Sequence, residues 1–560
     1  MKHNIYTTDF ITIHFLLLII QLSKRFNEGD SVSKKGKLSR FYITFQNMVE
    51  LTGEDKIAPG VQEGIIIASS SVSHASMSYV DPITKPNAVD KDKEAAEKAK
   101  FLGEGPLGKT IWKLTWPDFI GKIVQALYVM VDAIFIGNMA GNNQKEKSLA
   151  LASCTLAMPI DQLFHGAIGI MIGVGSSAIY GQNLGKGDTK TAKAVIGNMY
   201  FLCVLFGILY PIIGYNVLDY LLVLAGASEK EGTLALAHLY LLPMVFLSCF
   251  TFFAFAHNST IRGEGNSNFS ATIMVLGAII NIILDPILIR ATGNSVLGAA
   301  IATMSGNILS TIMGMYYFFT NKGAVRLQWS DFIPQWKIIK AVLSVGVSGI
   351  ITNASSSIVN ILMNNLLLKY SNIHYNTLQV TEILGVVGGC GKFGFFCFMP
   401  MLSLSHACLP IYAYCYGAKR FNRFLNTMKI HFLAEILVGF LLVILGSFSG
   451  SFLAGLFSQS LYFKQLFTEG LRYVTCGIFF NAFVMSIFPP LQGTGRGVPS
   501  AFILFFKQLL FLLSFAYLFC AILNNWWGNM WAYPLAEIAG AALALGAFFI
   551  YKSVFEGKKE

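Results

Sequence analysis

The sequence predicts an all-α membrane protein with twelve transmembrane helices, arranged as two parallel six-helix repeats, an N-lobe and a C-lobe, around a central cavity. Three observations predict it: an apolar composition, twelve apolar runs of membrane-spanning length, and an internal duplication. Of the 560 residues, 54% are hydrophobic and only 13% are charged, and the mean hydropathy is +0.57. A soluble domain carries roughly 25% charged residues. The bilayer is therefore expected to be the solvent of this chain.

Each of the twelve runs is expected to cross the membrane as a helix. A span takes roughly 20 apolar residues, and lipid offers no other partner to the backbone. Six runs fall in each half of the chain. They cover residues 111–137, 149–180, 191–216, 233–257, 268–290, 295–320, 338–368, 383–413, 427–448, 472–490, 498–523 and 528–551.

The two halves repeat each other at a nearly constant offset. The matching stretches are Ile179-Tyr180 with Ile411-Tyr412 (shift 232), Arg262–Asn266 with Gln492–Arg496 (shift 230), and the runs from Leu114 and Leu343 (shift 229). Duplication of a unit with several spans is typical of secondary transporters, which bind their substrate between the repeats. An even number of spans per unit makes the repeats parallel, with the two-fold axis along the membrane normal.

The repeat also sets the expected domain limits. Residues 105–330 form the N-lobe with helices 1–6, and residues 331–552 form the C-lobe with helices 7–12. Residues 553–560 are a cytoplasmic tail. Residues 1–104 are expected to be a cytoplasmic, mostly disordered extension, because they mix charges without sustained apolar periodicity. Their one apolar run, 11–22, is too short to span, and no small-residue cleavage site follows it.

The net charge of +11 is interpreted as a topology signal rather than as a nucleic-acid footprint. Basic residues concentrate in alternate short loops, and the intervening loops, with Asp219, Glu229 and Glu231, are acidic or nearly neutral. The basic residues are Lys186, Lys190, Lys193, Lys322, Arg326, Lys337, Lys340, Lys419, Arg420, Arg423, Lys429, Lys552, Lys558 and Lys559. By the positive-inside rule both termini are cytoplasmic.

Cysteine and histidine usage predicts no cofactor and no enzyme. The nine cysteines form no Cys-x-x-Cys pair, and the nine histidines have no metal-ligand spacing. An intramembrane enzyme would need a His-rich metal set, a Gly-x-Ser-x-Gly motif or paired aspartates in a fixed context, and none of these appears in the sequence. Disulfides and metal sites are not expected either.

Acidic side chains inside the spans are the candidate functional groups, because each costs at least ~2.5–3.5 kcal/mol at bilayer depth. Asp132 has apolar residues on both sides, which favours function over a place near water at the helix end. Asp285 follows Asn281 by four residues, so both lie on one helix face. They form either a cation or proton site or a pair that locks two helices. For Asp161 the sequence indicates no partner, and Glu435 and Glu537 either line a transport path or bond neighbouring helices.

Three further expectations concern local structure. Pro117, about four helical turns before Asp132, is a candidate hinge, although a proline near a helix start is the simpler alternative. Asp118 is expected to meet water near the cytoplasmic face. Glu264, between two glycines, is expected either to cap or to bond Arg262.

The motifs together resemble multidrug and toxin extrusion (MATE) transporters over residues 105–552. They are Gly105-Pro-Leu-Gly with Pro117, Tyr128-x-x-x-Asp132-x-x-Phe-Ile-Gly137, Gly185-Lys-Gly-Asp188, Ile261-Arg-Gly-Glu-Gly265-Asn, Asn281-Ile-Ile-Leu-Asp285-Pro, Gly298-Ala-Ala-Ile-Ala-Thr303 and Gln492-Gly-Thr-Gly495. By position, Asp132, Asn281, Asp285 and Thr303 match the polar cluster of the family's N-lobe, and Tyr240 matches a helix-4 position. The acids that some members carry on helices 7 and 10 are missing, which argues against a cation site in the C-lobe.

The resemblance implies an antiporter that exports amphipathic organic cations in exchange for protons or sodium by alternating access. Its partners would be a small cationic substrate and the lipid bilayer of the plasma membrane or an internal membrane, and the protein would be a monomer. The central cavity is expected to be lined by helices 1, 2, 7 and 8 and rich in Met and Phe. The alternative is a flippase or exporter of a lipid-linked saccharide or polysaccharide. Such a cavity needs Arg or Lys to hold phosphate, and the spans contain almost none.

Overall fold

The structure is a computed structural model that describes residues 101–139, 144–229, 232–320, 322–457 and 461–557. The expected N-terminal extension lies outside the described residues except for its last four, and so do the last three residues of the expected C-terminal tail. Within the described ranges every regular element is a helix.

Six helical segments form the N-lobe, and two of them are interrupted. Helix α2 consists of α2a and α2b, joined by a π-helical turn at Gln162–Gly166, and α4 consists of α4a and α4b, which meet at Leu247. The bounds are α1 Leu107–Met139, α2a Gln144–Asp161, α2b Ala167–Lys186, α3 Thr189–Leu224, α4a Thr233–Phe246, α4b Ser248–Gly263, α5 Ser267–Thr292 and α6 Ser295–Phe319.

Six further segments follow a short 3-10 turn at Trp329–Phe332 and form the C-lobe. Helix α11 is interrupted by a π-helical segment at Phe506–Leu512. The bounds are α7 Trp336–His374, α8 Thr377–Gly417, α9 Phe421–Phe457, α10 Leu461–Gly493, α11a Gly497–Phe505, α11b Leu513–Leu523 and α12 Trp527–Glu556.

The predicted all-α, twelve-helix membrane fold is confirmed. Ten described helices are long and apolar enough to cross a membrane, and α4a with α4b makes an eleventh span that is bent by 62°. The twelfth is α2, whose π-helical turn divides it into two shorter pieces. The bend in α4 lies four residues after Pro243, which cannot donate a backbone hydrogen bond. Helix α1, in contrast, is continuous through Pro117.

Side-chain caps fix several helix starts. Asp188, Asn266 and Asn294 each accept hydrogen bonds from backbone amides in the first turn of α3, α5 and α6. The hydroxyl and amide of Thr191 donate to Asp188, and these bonds hold the pKa of that carboxyl below its usual range. The short connections between consecutive helices are thereby held in place, and neighbouring helices run antiparallel.

The two lobes pack their helices in the same way. The pairs α1–α5, α2–α4, α4–α6 and α5–α6 of the N-lobe recur as α7–α11, α8–α10, α10–α12 and α11–α12 of the C-lobe. Between the lobes, α1 contacts α8, α2 contacts α7, and α2 contacts α8. A two-fold axis requires such exchanged pairs.

Two glycines show that the repeats are parallel. Gly185 of α2 packs on the backbone of Tyr414, and Gly417 of α8 packs on the carbonyl of Gln182. A shift of 232 converts the first pair into the second, so the contact is reciprocal across the pseudo-two-fold axis. Both glycines lie at the C-terminal ends of their helices, so α2 and α8 run in the same direction and the repeat is not inverted.

These C-terminal ends lie at one end of the bundle, which we call the basic end. The helix ends and connections there carry Lys186, Lys190, Lys337, Lys340, Lys419 and Arg420. The opposite end is called the outer end. Gln182 of the N-lobe donates a 2.8 Å hydrogen bond to the carbonyl of Gly493 in the C-lobe at the basic end. The lobes are therefore in close contact there.

The segment before α1 adds to this contact. Residues 101–104 are helical, and Leu102 is fully buried. The carbonyl of Leu102 accepts a bond of 2.9 Å from Arg423, and Arg420 donates to Gly103 and Glu104. The C-lobe thus holds the chain that leads into the first helix of the N-lobe.

Replacing Gly417 by valine is expected to separate the lobes at the basic end. A Cβ there would overlap the carbonyl oxygen of Gln182, so α2 and α8 would have to move apart. Spin labels at Lys190 and Asn422 should report a longer distance in Gly417→Val than in the parent protein. Gly391→Val, on the same helix with no atom within 4 Å, should leave the distance unchanged. An unchanged distance in Gly417→Val would contradict this packing.

Candidate functional site in the N-lobe

Four N-lobe helices, α1, α4, α5 and α6, line a small open cavity whose wall is mainly apolar and carries several amide and hydroxyl side chains. Its volume is about 100 Å³, which is room for about three water molecules. It is lined by Gln125, Tyr128, Ala254, Phe255, Asn258, Ile273, Met274, Gly277, Ala278, Asn281, Thr303, Gly306, Asn307 and Ser310. Two predicted site residues, Asn281 and Thr303, are among them.

Helix α5 places Asn281 and Asp285 on one face, as their spacing predicts. Both are buried, with 2% and 0% of their surface exposed. The Asn281 amide donates a 3.2 Å hydrogen bond to the Thr303 hydroxyl of α6. Neither oxygen of Asp285, nor the Asn281 side-chain oxygen, has a hydrogen-bond partner among the described residues. Pro286 continues the helix without donating to Ile282, which leaves that backbone carbonyl without its helical partner.

Asp132 of α1 faces the same region. It is 6% exposed, and its Oδ1 has no hydrogen-bond partner among the described residues. Asp132 and Asp285 lie close enough for their charges to interact. Two carboxylates in a poorly solvated place cannot both remain ionised without large cost. Such a pair is chemically suited to share a proton or to accept another counter-charge.

Tyr240 joins the same group from α4a. It is buried and lies within electrostatic range of Asp132 and Asp161. Asp161 ends α2a, and its Oδ1 lies 2.9 Å from Nδ1 of His165 in the π-helical turn. The sequence offered no partner for Asp161, because the π-helical turn that shapes this pair is not visible in the apolar pattern. Such turns are frequent at functional sites.

A second polar cluster surrounds Asp118, which is 1% exposed. The expectation that Asp118 meets water is wrong. Its carboxylate pairs with Lys122, one turn later on α1, and accepts a 2.6 Å bond from Arg262 of α4b. The four-residue spacing of Asp118 and Lys122 was a usable signal, whereas the approach of Arg262 depends on how α4 packs.

This cluster links the cavity to the other lobe. Arg262 also donates to the side chain of Asn258, which lines the cavity, at 3.2 Å. On the other side, Lys122 Nζ lies 3.1 Å from Nδ1 of His406 on α8. A continuous series of polar contacts thus runs from the cavity to the C-lobe.

Glu264 is the C-cap residue of α4b, which agrees with the capping role expected for it, and the described bonds of its carboxylate go to residues other than Arg262. Glu264 accepts hydrogen bonds from the hydroxyls of Tyr180 and Tyr317 and from the backbone amide of Ala324. It therefore joins α2, α6 and the connection to α7. Arg262 turns instead towards the buried carboxylate of Asp118.

The two C-lobe acids that the sequence left undecided both have partners. Glu435 of α9 lies 3.2 Å from His431 and accepts a bond of 3.0 Å from Ser405. Glu537 of α12 pairs with Lys507 at 2.9 Å. Asp132 and Asp285 differ from these acids because no basic side chain among the described residues pairs with them.

Known proteins of similar sequence and structure cover most of this chain. It is 22% identical over 457 residues to the multidrug export protein MepA of Staphylococcus aureus, a match that covers 80% of this chain and 95% of the relative. The MepA protein of Staphylococcus saprophyticus is 21% identical over 408 residues, covering 72% of this chain and 85% of the relative.

Solved structures show the same fold. An outward-facing MATE transporter of the MOP superfamily superposes with a TM-score of 0.74 at 23% identity, covering 83% of this chain and 99% of its own. A MOP superfamily transporter of Pyrococcus furiosus, described as having a binding pocket of reverse polarity, superposes with a TM-score of 0.72 at 24% identity, with the same coverage.

The family model MatE matches this chain twice, at residues 117–287 and 350–518. The two matches together cover more than half of the chain, and they fall on equivalent parts of the N-lobe and the C-lobe. The chain therefore belongs to the MatE family of membrane transporters.

Proposed function

We propose that this protein is a secondary antiporter that exports small amphipathic organic cations, or other toxic compounds, in exchange for protons or sodium. The observation that carries the proposal is the pair Asp132 and Asp285. Both are buried acids within range of each other's charge, and no basic side chain among the described residues compensates them. The names of the Staphylococcus relatives as multidrug export proteins support the same function.

The position of the pair supports uptake of the coupling cation from the outer side. Asp132 and Asp285 lie nearer to the outer ends of α1 and α5 than to the basic end. Asp161 has a side chain that is 37% exposed, and it interacts electrostatically with Tyr128 and Tyr240 beside the site. Asp161 and His165 would receive the cation first, and Asp132 and Asp285 would then bind it.

Binding at this site would be transmitted to the lobes through the polar contacts that start at Asn258. A cation held by Asp132 and Asp285 changes the charge beside the cavity. Arg262 and Lys122 share the carboxylate of Asp118, and Lys122 touches His406 of the C-lobe. Because these groups are buried together, a change in the charge of one alters the free energy of the arrangement of the others.

The charge pattern favours a cationic substrate over the alternative, a flippase or exporter of a lipid-linked saccharide or polysaccharide. Three Lys or Arg side chains are buried in the described helices. Lys122 and Arg262 share Asp118, and Lys507 pairs with Glu537. A phosphate-bearing substrate would need basic groups that are free to bind it.

The proposal also covers the orientation of the protein in the membrane and its oligomeric state. The basic end faces the cytoplasm, as the positive-inside rule requires, so both termini are cytoplasmic. The protein works as a monomer in the plasma membrane or an internal membrane, with a cavity between the lobes as the substrate path. It needs no cofactor besides the coupling ion, and Pro117 remains the proposed hinge of α1.

Replacing either acid by its amide should abolish coupling. In proteoliposomes loaded with a fluorescent organic cation, Asp132→Asn and Asp285→Asn should each lower gradient-driven export about tenfold or more, which is about 1.4 kcal/mol for each tenfold. The reason is that a neutral amide neither takes up a proton nor supplies the negative charge that holds sodium. The control is Asp219→Asn, since the side chain of Asp219 is 65% exposed and pairs with His238 away from the cavity. That variant should transport at the wild-type rate.

Proton and sodium gradients applied separately distinguish the two coupling ions. The proposal requires one of the two to drive export in the wild type and neither to drive it in Asp132→Asn. Wild-type rates in both acid variants would place the coupling site elsewhere.

Substrate charge can be tested in the same vesicles. Export of the fluorescent cation should be inhibited by other flat organic cations and should be insensitive to a soluble sugar pyrophosphate. Inhibition by the pyrophosphate and none by the cations would favour the saccharide alternative.

A further inference from the structure

The internal repeat allows each position around the N-lobe cavity to be compared with its counterpart in the C-lobe. A shift of 230 places Lys507 at the position of Gly277 and Glu537 at the position of Asn307. Gly277 and Asn307 both line the N-lobe cavity. The C-lobe therefore has a cation and an anion where the N-lobe has a glycine and an amide.

Contacts between helices confirm that these positions are equivalent in space. A Cβ on Gly277 of α5 would lie 2.6 Å from the Ser310 hydroxyl of α6. The same shift of 230 converts this pair into Lys507 of α11 and Gly540 of α12, and a Cβ on Gly540 would lie 2.8 Å from Cγ of Lys507. The crossing of α5 with α6 thus recurs as the crossing of α11 with α12, and Gly540 leaves room for the lysine side chain.

The Lys507 ammonium is surrounded by oxygens. Nζ lies 2.9 Å from Oε1 of Glu537 and 2.9 Å from the side-chain oxygen of Asn481 on α10. Lys507 is 6% exposed and lies in the π-helical segment of α11. Oε2 of Glu537 is buried and has no hydrogen-bond partner among the described residues. The carboxylate of Glu537 and the side-chain amide of Asn481 therefore bind a monovalent cation, the Lys507 ammonium, that is part of the protein itself.

The N-lobe site offers the same kinds of oxygen without such a cation. Asp132 and Asp285 supply carboxylates, and Asn281 supplies an amide oxygen that has no hydrogen-bond partner among the described residues. A buried carboxylate needs a counter-charge or a proton. In the C-lobe a lysine meets this need permanently, whereas in the N-lobe it has to be met from solution.

We propose that the Lys507 ammonium is a tethered counter-ion that occupies the cation position of the C-lobe, so that only the N-lobe exchanges a coupling ion. This inference rests on the cation-coupling function proposed above for Asp132 and Asp285. If the ammonium is removed, Glu537 and Asn481 are expected to become a binding site for a proton or a sodium ion.

The test is cation binding by the purified full-length protein, first with the N-lobe site removed. Asp132→Asn/Asp285→Asn should bind no sodium and take up no proton at these sites, as measured with radioactive sodium at fixed pH and with a pH-indicator dye. Adding Lys507→Met to this double variant should restore uptake of one cation per molecule. Adding Glu537→Gln as well should abolish that uptake. The two readouts show whether the cation is sodium or a proton.

Lys552→Met is the matched control. Lys552 pairs with Glu556 on α12 at 3.9 Å, but both side chains are more than a third exposed, so water already compensates the carboxylate. This variant should gain no cation. If Lys507→Met gains none either, or if Lys552→Met gains the same amount, the proposal is wrong.

A stability measurement covers the case in which Lys507→Met folds poorly. The melting temperature of that variant should rise when sodium replaces choline at constant ionic strength, or when the pH is lowered, because either cation would compensate Glu537. In the wild type, any rise in melting temperature should be the same with and without Glu537→Gln. Absence of stabilisation by both cations would overturn the proposal. Failure of the N-lobe function would appear separately, as unchanged cation binding in Asp132→Asn/Asp285→Asn.

Discussion

The need to balance every buried charge determines how this transporter is organised. An uncompensated charge at bilayer depth costs at least ~2.5–3.5 kcal/mol, so ionisable side chains are found in partnered sets. The compensated sets are Asp118 with Lys122 and Arg262, Glu537 with Lys507, and Glu435 with His431 and Ser405. Asp132 and Asp285 have no basic partner among the described residues, and the proposed function assigns their counter-charge to a cation from solution.

Two lobes with one architecture can therefore carry different chemistry. The reciprocal packing of Gly185 on α8 and Gly417 on α2 requires nearly identical helix positions in both halves. Small residues allow such close backbone contact between membrane helices. The polar positions around each lobe's interior are free to differ, because they face the lobe's own helices rather than the symmetric interface. Gly277 and Asn307 of the N-lobe are replaced by Lys507 and Glu537 at the equivalent positions of the C-lobe, so the C-lobe carries an ion pair that the N-lobe lacks there.

Much of the architecture could be predicted from the sequence, because apolar run length and the near-constant repeat offset are local or periodic signals. The i to i+4 spacing also placed Asn281 and Asp285 on one face. The missed features depend on tertiary neighbours: the pairing of Asp161 with His165, the burial of Asp118 against Arg262, and the breaks of α2, α4 and α11. Buried lysines within the spans, such as Lys122 and Lys507, were not expected for the same reason. A buried lysine is tolerated only when the packing places a carboxylate beside it.

The most direct test of the account is the distance between the lobes at the basic end as the coupling cation is varied. Spin labels at Lys190 and Asn422, in the first turns of α3 and α9, report this distance in lipid. The account predicts that changing pH or sodium shifts the distance distribution in the wild type and leaves it unchanged in Asp132→Asn/Asp285→Asn. A distribution that does not respond in the wild type, or that responds equally in the variant, would contradict coupling through the N-lobe acids.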